Sequence, residues 1–401
     1  MSQLTMGRCG EEAGPRPRSA TPGPVRVLVA PDKFKGCLSA LGVAEAIRSG
    51  IDSLTTDAQV QVTVLPLADG GDGSVEAAVF AGSHAQTVEV HNADGQVQPA
   101  QIAFDGTTAV VEVAGTCGLA TLQGPFRPLA ASSRGVGEAI LAVALLRPKT
   151  IVVALGGSAS TDGGAGMLAA LGAQFRDEQG RIVEPDGGSL YRIVHVDFRN
   201  AFDFEGIELI GASDVTNPLL GVKGAAHVFG PQKGADHDLV AVLDQGLRTL
   251  VQACNTIPQI DAATLADTPG AGSAGGIGFG LLLLGGSLVS GADYFLDLLR
   301  FDTHAQQCDM LVTGEGRLDD QTSGGKLISA VCSRAGSTPV AAVVGTSTLD
   351  QQATRHLGLT NVISLREITA QDTSKDPALA TKALQNAGRI LHTLASGPTT
   401  Q

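Results

Sequence analysis

The sequence predicts two α/β domains: a discontinuous, doubly wound (flavodoxin-like) parallel-sheet domain with a large inserted mixed-sheet α/β domain. Three observations predict this fold. Short apolar strands alternate with helical stretches near both ends of the chain. Partly alternating strands with Asp-Gly turns occupy the middle of the chain, after about residue 85. The length of 401 residues, of which 43% are hydrophobic, is enough for two domains with sizeable cores.

The first elements form a β-α-β opening. Residues 25–30 are an apolar strand, Ser39 is the predicted N-cap of the helix that follows, and residues 60–65 are the second strand. Further strands are predicted at 87–90, 97–104, 109–113, 151–155, 207–212, 310–312, 340–344 and 361–365. Helices are predicted at 133–146 and 239–254, and the apolar segment 275–286 is either helical or hairpin-like.

The two early strands and the three late strands are expected to complete one doubly wound sheet in the order 2-1-3-4-5. The first and third strands are neighbours at the switch point of such a sheet. The loops after them, 32–36 and 313–317, should therefore face one crevice beside the inserted domain. The predicted bounds are 25–84 plus 301–396 for the discontinuous domain and 85–300 for the inserted one.

Composition excludes several classes of function. A net charge of −13 disfavours nucleic acids and anionic membrane surfaces as partners, and the apolar runs are too short to span a bilayer. The six cysteines are widely spaced and form no C-x-x-C pair, which indicates thiols in a reducing cytoplasm and no zinc site. Residues 1–24 hold four Pro, four Gly and three Arg without an apolar stretch, so they are predicted to be a disordered tail and not a secretory signal.

The glycine-rich segment 156–166 is the most informative motif. It lies between an apolar strand and a helical stretch, so its backbone N–H groups are expected at a helix N-terminus, where anions bind. Its three hydroxyls and one carboxylate, at Ser158, Ser160, Thr161 and Asp162, add donors and a candidate metal ligand. The segment therefore predicts a phosphate or carboxylate ligand.

Two polar loops follow the first two strands. The loop 32–36 offers the carboxylate of Asp32 for Mg²⁺ or proton transfer and a lysine ammonium for phosphate, with a plain solvated loop as the alternative. The glycine turn 69–73 offers Asp69 and Asp72 for metal or substrate binding, with a tight turn and helix cap as the alternative.

Later segments offer further polar groups. Segment 213–218 carries Asp214, which suits hydroxyl recognition or proton abstraction, and a rigid turn presents Lys233. Segment 270–276 is either a close-packing element or a second anion-binding turn. The chain contains no Walker A, G-x-S-x-G or H-E-x-x-H motif.

A Gly-Glu-Gly-Arg run follows the third sheet strand. It places Arg317 at the predicted crevice, where a guanidinium can bind a carboxylate or phosphate through two hydrogen bonds. A structural Arg–Asp pair is the alternative. Gln321, Thr322 and Lys326 are expected to continue this surface.

Eight ordered segments resemble those of one enzyme family. They are 30–36, 68–73, 156–166, 213–219, 230–234, 269–276, 291–292 and 313–317. From about residue 25 to the last helix, the chain is similar to the bacterial glycerate kinase family of the glyoxylate/glucarate-pathway type, which phosphorylates D-glycerate with ATP. The resemblance implies two α/β domains, the first of them discontinuous. It also implies an ATP- and Mg²⁺-dependent kinase that forms 2-phosphoglycerate by in-line phosphoryl transfer.

Residue roles are assigned from residue type under this resemblance. Lys35 and Arg317 are expected on the glycerate carboxylate or the transferring phosphoryl group. Asp214 is a candidate general base, and Asp32 is a candidate for the base, for orienting the substrate or for binding Mg²⁺. Asp72 and Asp162 are the predicted metal ligands. The predicted substrate- and phosphate-binding residues are Gly156, Gly157, Ser158, Ser160, Thr161, Gly163, Gly164, Lys233, Gly272, Ser273, Gly314 and Glu315.

Other interpretations stay open at this point. Transfer to O3 would give 3-phosphoglycerate, because the sequence does not determine where the substrate carboxylate sits. A non-catalytic binding or sensor protein for small hydroxy acids, or a metal-dependent lyase, would also suit a cleft between α/β domains. Several carboxylates in glycine turns argue against a pure anion binder, since they repel the ligand unless a metal is present. A cytoplasmic monomer or homodimer without nucleic-acid or membrane partners is expected.

Overall fold

The computed structural model describes residues 23–54, 60–319 and 327–396 and is built around two large β-sheets. The strands are β1 (Val25–Val29), β2 (Val60–Val64), β3 (His84–His91), β4 (Val97–Phe104), β5 (Thr108–Glu112), β6 (Thr150–Ala154), β7 (Gln174–Arg176), β8 (His195–Asp197), β9 (Glu208–Ala212), β10 (Ser287–Val289), β11 (Met310–Leu318), β12 (Val340–Ser347) and β13 (Leu359–Ser364).

Helices separate most of these strands. They are α1 (Ala40–Asp52), α2 (Ser74–Phe80), α3 (Val113–Cys117), α4 (Arg134–Ala144), α5 (Ala165–Ala170), α6 (Ala225–Phe229), α7 (His237–Cys254), α8 (Ala262–Asp267), α9 (Ile277–Leu283), α10 (Gly291–Leu298), α11 (Phe301–Ala305), α12 (Leu327–Arg334), α13 (Gln351–His356), α14 (Leu365–Ile368) and α15 (Pro377–Ser396). Ser39 caps α1 by accepting the Gly42 N–H, as predicted. Segment 275–286 contains helix α9, which confirms the helical alternative.

The first sheet has the strand order β2-β1-β11-β12-β13, and every neighbouring pair is parallel. This is the predicted 2-1-3-4-5 order. Along β1, Val27 and Val29 pack on one side of the sheet and Leu28 packs on the other. Both faces are thus buried, which is why the strand is a continuous apolar run and not an alternating one.

The second sheet has the order β10-β9-β6-β5-β4-β3 and is mixed, as predicted. Strands β3, β4 and β5 are antiparallel neighbours joined by the Asp-Gly turns, whereas β5, β6, β9 and β10 are parallel. A separate antiparallel pair, β7 and β8, has no counterpart among the predicted strands. The carboxyl ends of the parallel strands carry the loops after β6, β9 and β10.

Strand β11 is longer than predicted. The expected strand ended at residue 312, with a loop from 313 to 317, but the strand pairs with β12 as far as Leu318 opposite Ser347. Parallel hydrogen bonding to β12 supplies partners for the backbone of the Gly-Glu-Gly-Arg run and holds it extended. The prediction of a loop here was therefore wrong, although the run still lies at the carboxyl end of the sheet.

Three apolar cores lie between the layers of helices and sheets. One packs α1 and α15 on the outer face of the first sheet, and another packs α4, α5, α7 and α9 on the outer face of the second. The third joins the inner faces of both sheets through α2, α10 and α12. For example, Leu28 of the first sheet and Val152 of the second belong to this shared core. The predicted domain bounds at 85 and 300 remain a prediction.

Some predicted features lie outside the described residues. These are the predicted tail apart from its last two residues, Cys9, and the contributions of Gln321, Thr322 and Lys326. Among the residues that the structure describes, no helix combines the length and apolar character needed to cross a bilayer.

Candidate functional site

A cavity of about 560 Å³ opens at the carboxyl ends of β1, β2, β11 and β12, beside the loop after β6. This switch-point cavity lies where the strand order reverses between β1 and β11, the usual ligand position in doubly wound sheets. Its charged lining residues are Asp32, Lys33, Lys35, Asp69, Asp72, Glu315, Arg317, Arg366 and Asp372. The cavity therefore gathers residues from both ends of the sequence, together with Gly156 and Gly157.

Two predicted cations line this cavity. Arg317 is 68% exposed on its side chain, and its Nε lies 3.1 Å from Oδ2 of Asp319. Lys35 comes from the loop after β1. Arg366, at the start of α14, adds a guanidinium that the sequence reasoning missed. Its position directly after β13 was the signal that could have revealed it, because the carboxyl ends of parallel strands share one edge.

Asp32 and Lys33, which both line the cavity, form an ion pair. The Lys33 Nζ lies 3.5 Å from Oδ1 of Asp32, and the same oxygen accepts the Lys33 N–H at 2.7 Å. Burial raises the pKa of Asp32 to about 7, against the opposing effect of the Lys33 charge. A carboxyl group with such a pKa is suited to exchange a proton near neutral pH.

Glycines bring the loops after β2 and β6 into direct backbone contact. The Gly156 N–H donates to the Gly70 carbonyl at 2.9 Å, and a Cβ on Gly156 would overlap Gly71. Gly70 itself has φ +84°, and a Cβ there would lie 2.6 Å from the Ala212 carbonyl oxygen. These glycines serve loop packing, which positions Asp69 and Asp72 at the cavity wall.

Glu112 is a buried carboxylate beneath the same loop that the sequence reasoning missed. It ends β5, and its Oε2 accepts the Val75 N–H of α2 at 3.1 Å. Burial raises the pKa of Glu112 to about 7, although hydrogen bonds from the Val75 and Gly73 N–H groups oppose this. A charged residue at the end of an apolar strand was the available signal.

Most of segment 156–166 turns away from the cavity. Asp162 is 0% exposed and accepts hydrogen bonds from the N–H and hydroxyl groups of Ser133 and from the N–H groups of Gly164 and Gly166. Burial raises the pKa of Asp162 against these donors. Both carboxylate oxygens of Asp162 accept hydrogen bonds inside the protein, so the side chain stabilises the loop. This argues against the predicted role as a metal ligand.

The neighbours of Asp162 are also enclosed. Ser160 and Thr161 are buried, at 0% and 1% exposed, and Ser158 is 4% exposed. The Gly163 N–H donates to the Gly275 carbonyl and the Gly164 N–H to Asp162. Within this segment, the glycine N–H groups at 163 and 164 are thus used for packing, contrary to the predicted phosphate cradle.

Lys233 is buried beneath the segment and does not face the cavity. Its Nζ donates to the Ser158 hydroxyl at 2.8 Å and to the Ser160 carbonyl. Burial lowers the pKa of Lys233 to about 8. The ammonium therefore connects the turn after α6 to the loop after β6 through hydrogen bonds. These bonds argue against the predicted contact of Lys233 with phosphate.

Asp214 lies in a second cavity of about 470 Å³, formed at the ends of β9 and β10. Its carboxylate accepts the Ser290 hydroxyl and the Ala292 N–H at 3.0 and 3.2 Å, and burial raises its pKa. Two predicted phosphate-binding residues lie nearby. Ser273 lines the same cavity, whereas the N–H group of Gly272 is already used in a hydrogen bond to the Asn217 carbonyl. Asp214 thus lines a different cavity from Asp32, Lys35 and Arg317, although the charge of Asp69 in the switch-point cavity also raises its pKa.

Two further predicted residues belong to β11. Gly314 lies within the strand and is buried, whereas Glu315 lines the switch-point cavity.

The carboxylates of the switch-point cavity suit a magnesium ion held jointly with a substrate. Among the described residues, no three His, Cys, Asp or Glu side chains converge on a single point. Magnesium is typically bound by one or two carboxylates together with waters and phosphates, and not by a complete protein cage. Asp69 and Asp72 therefore fit such partial coordination.

Comparisons with known proteins identify the family of the chain. The sequence profile described as "Glycerate kinase family" matches residues 27–395. A glycerate kinase of Bacillus cereus (strain ATCC 10987 / NRS 248) is 37% identical over 351 residues, which cover 85% of this chain and 90% of that protein. A glycerate 2-kinase of Escherichia coli (strain K12) is 37% identical over 355 residues, with the same two shares.

The fold has a close counterpart among solved structures. The crystal structure of a protein assigned as glycerate kinase 2 from Salmonella typhimurium LT2 superposes with a TM-score of 0.78 and 33% identity, and covers 93% of this chain and 99% of that one. These matches confirm the resemblance that the eight sequence segments indicated. The chain therefore belongs to the glycerate kinase family.

Proposed function

We propose that the protein transfers the γ-phosphoryl group of ATP to the O2 hydroxyl of D-glycerate in the switch-point cavity, with Mg²⁺. One observation carries the proposal. In a chain of net charge −13, the cavity concentrates the cationic side chains of Lys33, Lys35, Arg317 and Arg366 around a place where sheets of this class bind ligands. A small acid and a polyphosphate both need such local cations.

Lys35 and Arg317 are the proposed anion-binding groups. The guanidinium of Arg317 presents parallel N–H donors, which match a carboxylate or a phosphoryl group. Lys35 supplies a compact charge that can follow the phosphoryl group as it moves. Both side chains would position the reactants and neutralise charge, which supplies most of the catalysis in phosphoryl transfer.

Asp32 is the proposed general base. It lines the cavity, and its pKa, raised to about 7 by burial, suits removal of the proton from the attacking hydroxyl group. Asp214 lies in the second cavity and is held by Ser290 and Ala292. We therefore assign Asp214 to ordering the junction between β9 and α10 and not to proton transfer.

Asp72, with Asp69 beside it, would hold Mg²⁺. When bound, the ion would neutralise negative charge on the phosphates. Gly156 and Gly157 are the members of segment 156–166 that reach the cavity, so we propose that they lie against the transferring phosphates. Glu315 also lines the cavity, and we propose that it helps to orient Lys35 and Arg317.

The test is to incubate the purified protein with D-glycerate and MgATP and to follow the products by ³¹P NMR. A phosphomonoester at O2 is the expected result, with ADP formed in equal amount. A product at O3 would keep the kinase and overturn the proposed regiochemistry. No ATP turnover with glycerate or related hydroxy acids would overturn the proposed function.

A cytoplasmic location and a monomer or homodimer remain part of the proposal.

A further inference from the structure

The second cavity, of about 470 Å³, lies where the layers of the two sheets meet. Residues 213–216 follow β9, residues 288–290 end and follow β10, and residues 329, 330 and 333 belong to α12, which packs on the first sheet. The cavity has a volume typical of small-molecule sites, and α/β sheets bind ligands outside the carboxyl ends of their parallel strands. It is therefore a candidate site, which the proposed roles of Lys35 and Arg317 leave unused.

Hydroxyl groups make up most of the polar lining of this cavity. The lining also carries the carboxylates of Asp214 and Asp293 and, in the part of the chain that the structure describes, no Lys, Arg or His. Arg334 pairs with Asp293 from beside the cavity, but the same guanidinium donates to Asp302 at 2.9 Å. A phosphate or carboxylate group would thus meet negative charge without a lining cation. The cavity suits a neutral group with several hydroxyls. The hydroxyl-bearing residues are Ser213, Thr216, Ser273, Ser290, Ser329 and Ser333.

Asp214 is held in a fixed position and has acceptor capacity left. Its Oδ1 accepts the Ser290 hydroxyl at 3.0 Å, and its two oxygens share the Ala292 N–H at 3.2 and 3.3 Å. A carboxylate offers about four acceptor positions. Besides ordering the junction between β9 and α10, Asp214 can therefore accept a hydrogen bond from a ligand hydroxyl. Dinucleotide-binding α/β sheets hold a ribose hydroxyl with an acidic side chain in the same way.

The two cavities adjoin each other. Asp69 lines the switch-point cavity, and Gly291 precedes Ala292, whose N–H group holds Asp214. A Cβ on Gly291 would overlap the Asp69 carbonyl oxygen, so the two backbones are in direct contact. One such backbone contact thus separates a cavity rich in cations from a cavity rich in hydroxyls. A ligand with an anionic part and a neutral hydroxylated part matches the two cavities together.

We propose that the second cavity binds the ribose of the nucleotide, whose phosphates lie in the switch-point cavity, and that Asp214 accepts a hydrogen bond from the ribose 2′-hydroxyl group. Val215, Leu288 and Val289 line the same cavity and would pack against carbon atoms of the nucleoside. The inference rests on the proposed function in one respect, namely that ATP is the phosphoryl donor. It adds which part of the nucleotide the second cavity recognises.

A free small acid is the other hydroxylated ligand to consider. D-glycerate also carries a carboxylate, and the described lining of the second cavity provides no cation to hold it. Lys35 and Arg317 line the switch-point cavity instead. By charge, the ribose is thus the hydroxylated group that fits the second cavity.

The test compares two nucleotides that differ by one hydroxyl group. Isothermal titration calorimetry measures the Kd of MgADP, of the magnesium complex of 2′-deoxy-ADP and of magnesium tripolyphosphate. The proteins are the wild type, Asp214→Ala, Asp214→Asn and Asp236→Ala. Asp236 caps α7 by accepting the Leu239 N–H and lines neither cavity, so its variant removes a helix-bound carboxylate away from both.

The wild type should bind MgADP at least about tenfold more tightly than the 2′-deoxy complex, because the latter lacks a hydrogen bond to a charged group. This ratio of affinities should fall to about one in Asp214→Ala. It should fall at least about threefold in Asp214→Asn, since an amide oxygen is a weaker acceptor than a carboxylate. Asp236→Ala should keep the wild-type ratio. Tripolyphosphate has no ribose, so it should bind the wild type and both Asp214 variants equally.

Equal affinity of the wild type for both nucleotides would overturn the proposal without any variant. A ratio that persists in both Asp214 variants would also overturn it. An equal loss of affinity for both nucleotides and tripolyphosphate would show that Asp214 acts only by ordering the junction, and would overturn it too. These results leave the kinase intact, because product formation in the ³¹P NMR assay does not depend on recognition of the 2′-hydroxyl group. Failure of that assay would instead overturn the proposed function together with this inference.

Discussion

Replacing Gly70 by Ala should both destabilise the protein and slow it. Gly70 has φ +84°, and an ideal Cβ there would lie 2.6 Å from the Ala212 oxygen and 3.1 Å from the Gly291 Cα. All of these neighbours are backbone, and ordinary contact begins near 3.4 Å. The loop 69–73 must therefore move by roughly 0.8 Å, against a wall formed by β9 and α10.

The expected loss has two parts. A left-handed backbone costs an Ala residue about 1–2 kcal/mol, and overpacking costs about 1–3 kcal/mol more. The shift also displaces Asp69 and Asp72, and a misplacement near 1 Å can lower kcat/KM about 10²-fold. Chemical denaturation measures the first effect and a coupled ADP assay the second.

A matched control separates the two parts. Gly95 has φ +80°, but a Cβ there meets nothing within 4 Å. Gly95→Ala should thus lose about 1–2 kcal/mol from the left-handed backbone and keep full activity. If Gly70→Ala resembled Gly95→Ala in both stability and kcat/KM, the packing argument for the loop after β2 would be refuted.

Three further predictions concern charged residues. The pKa of Glu112 is about 4.5 in the unfolded chain and about 7 in the folded protein, so the free energy of unfolding of the wild type falls as the pH rises between these values. Glu112→Gln lacks this ionisation. Its stability relative to the wild type should therefore rise by up to about 3 kcal/mol between pH 5 and pH 8. Denaturant titrations at both pH values measure this, and a pH-independent difference would contradict it. Arg317→Ala should lower kcat/KM for glycerate about 10²-fold and leave Tm unchanged, since the side chain is mostly exposed. The control is Arg355→Ala, which removes another exposed arginine. Equal kcat/KM of the two variants would exclude a role of Arg317 in anion binding. Lys233→Met should lose about 1–3 kcal/mol in chemical denaturation, because a buried carbonyl and a hydroxyl lose their donor; an unchanged midpoint would show that the ammonium is dispensable.

Much of the fold could be predicted from local sequence patterns. The apolar runs and their turn residues indicated every strand of the first sheet, its 2-1-3-4-5 order, and every strand of the second sheet except β10. The end of β11 was missed, because a run such as Gly-Glu-Gly-Arg has no strong strand propensity. Its extension to Leu318 depends on hydrogen bonds from β12, a strand about 30 residues later in the chain.

The cavity residues show the same division. The sequence indicated three of the cavity residues, because they follow the apolar segments of two neighbouring strands and the carboxyl ends of such strands share an edge. Asp32 and Lys35 come after β1, and Arg317 comes after the apolar part of β11. Asp162 and Lys233 were given ligand-binding roles on residue type, but the direction of each side chain depends on distant partners, Ser133 for one and Ser160 for the other.

The sequence by itself indicated the family through eight ordered motifs, and it indicated the order of the first sheet and the loops after β1 and β2 through apolar periodicity, because these signals are local in the chain. Only the tertiary structure decided which polar groups face the switch-point cavity. It turned Asp162 and Lys233 inward, placed Asp214 in a second cavity, brought Arg366 to the first and buried Glu112 beneath the loop after β2. The physical reason is that a buried polar group must be paired, and its partners come from segments that meet only when the two sheets pack together.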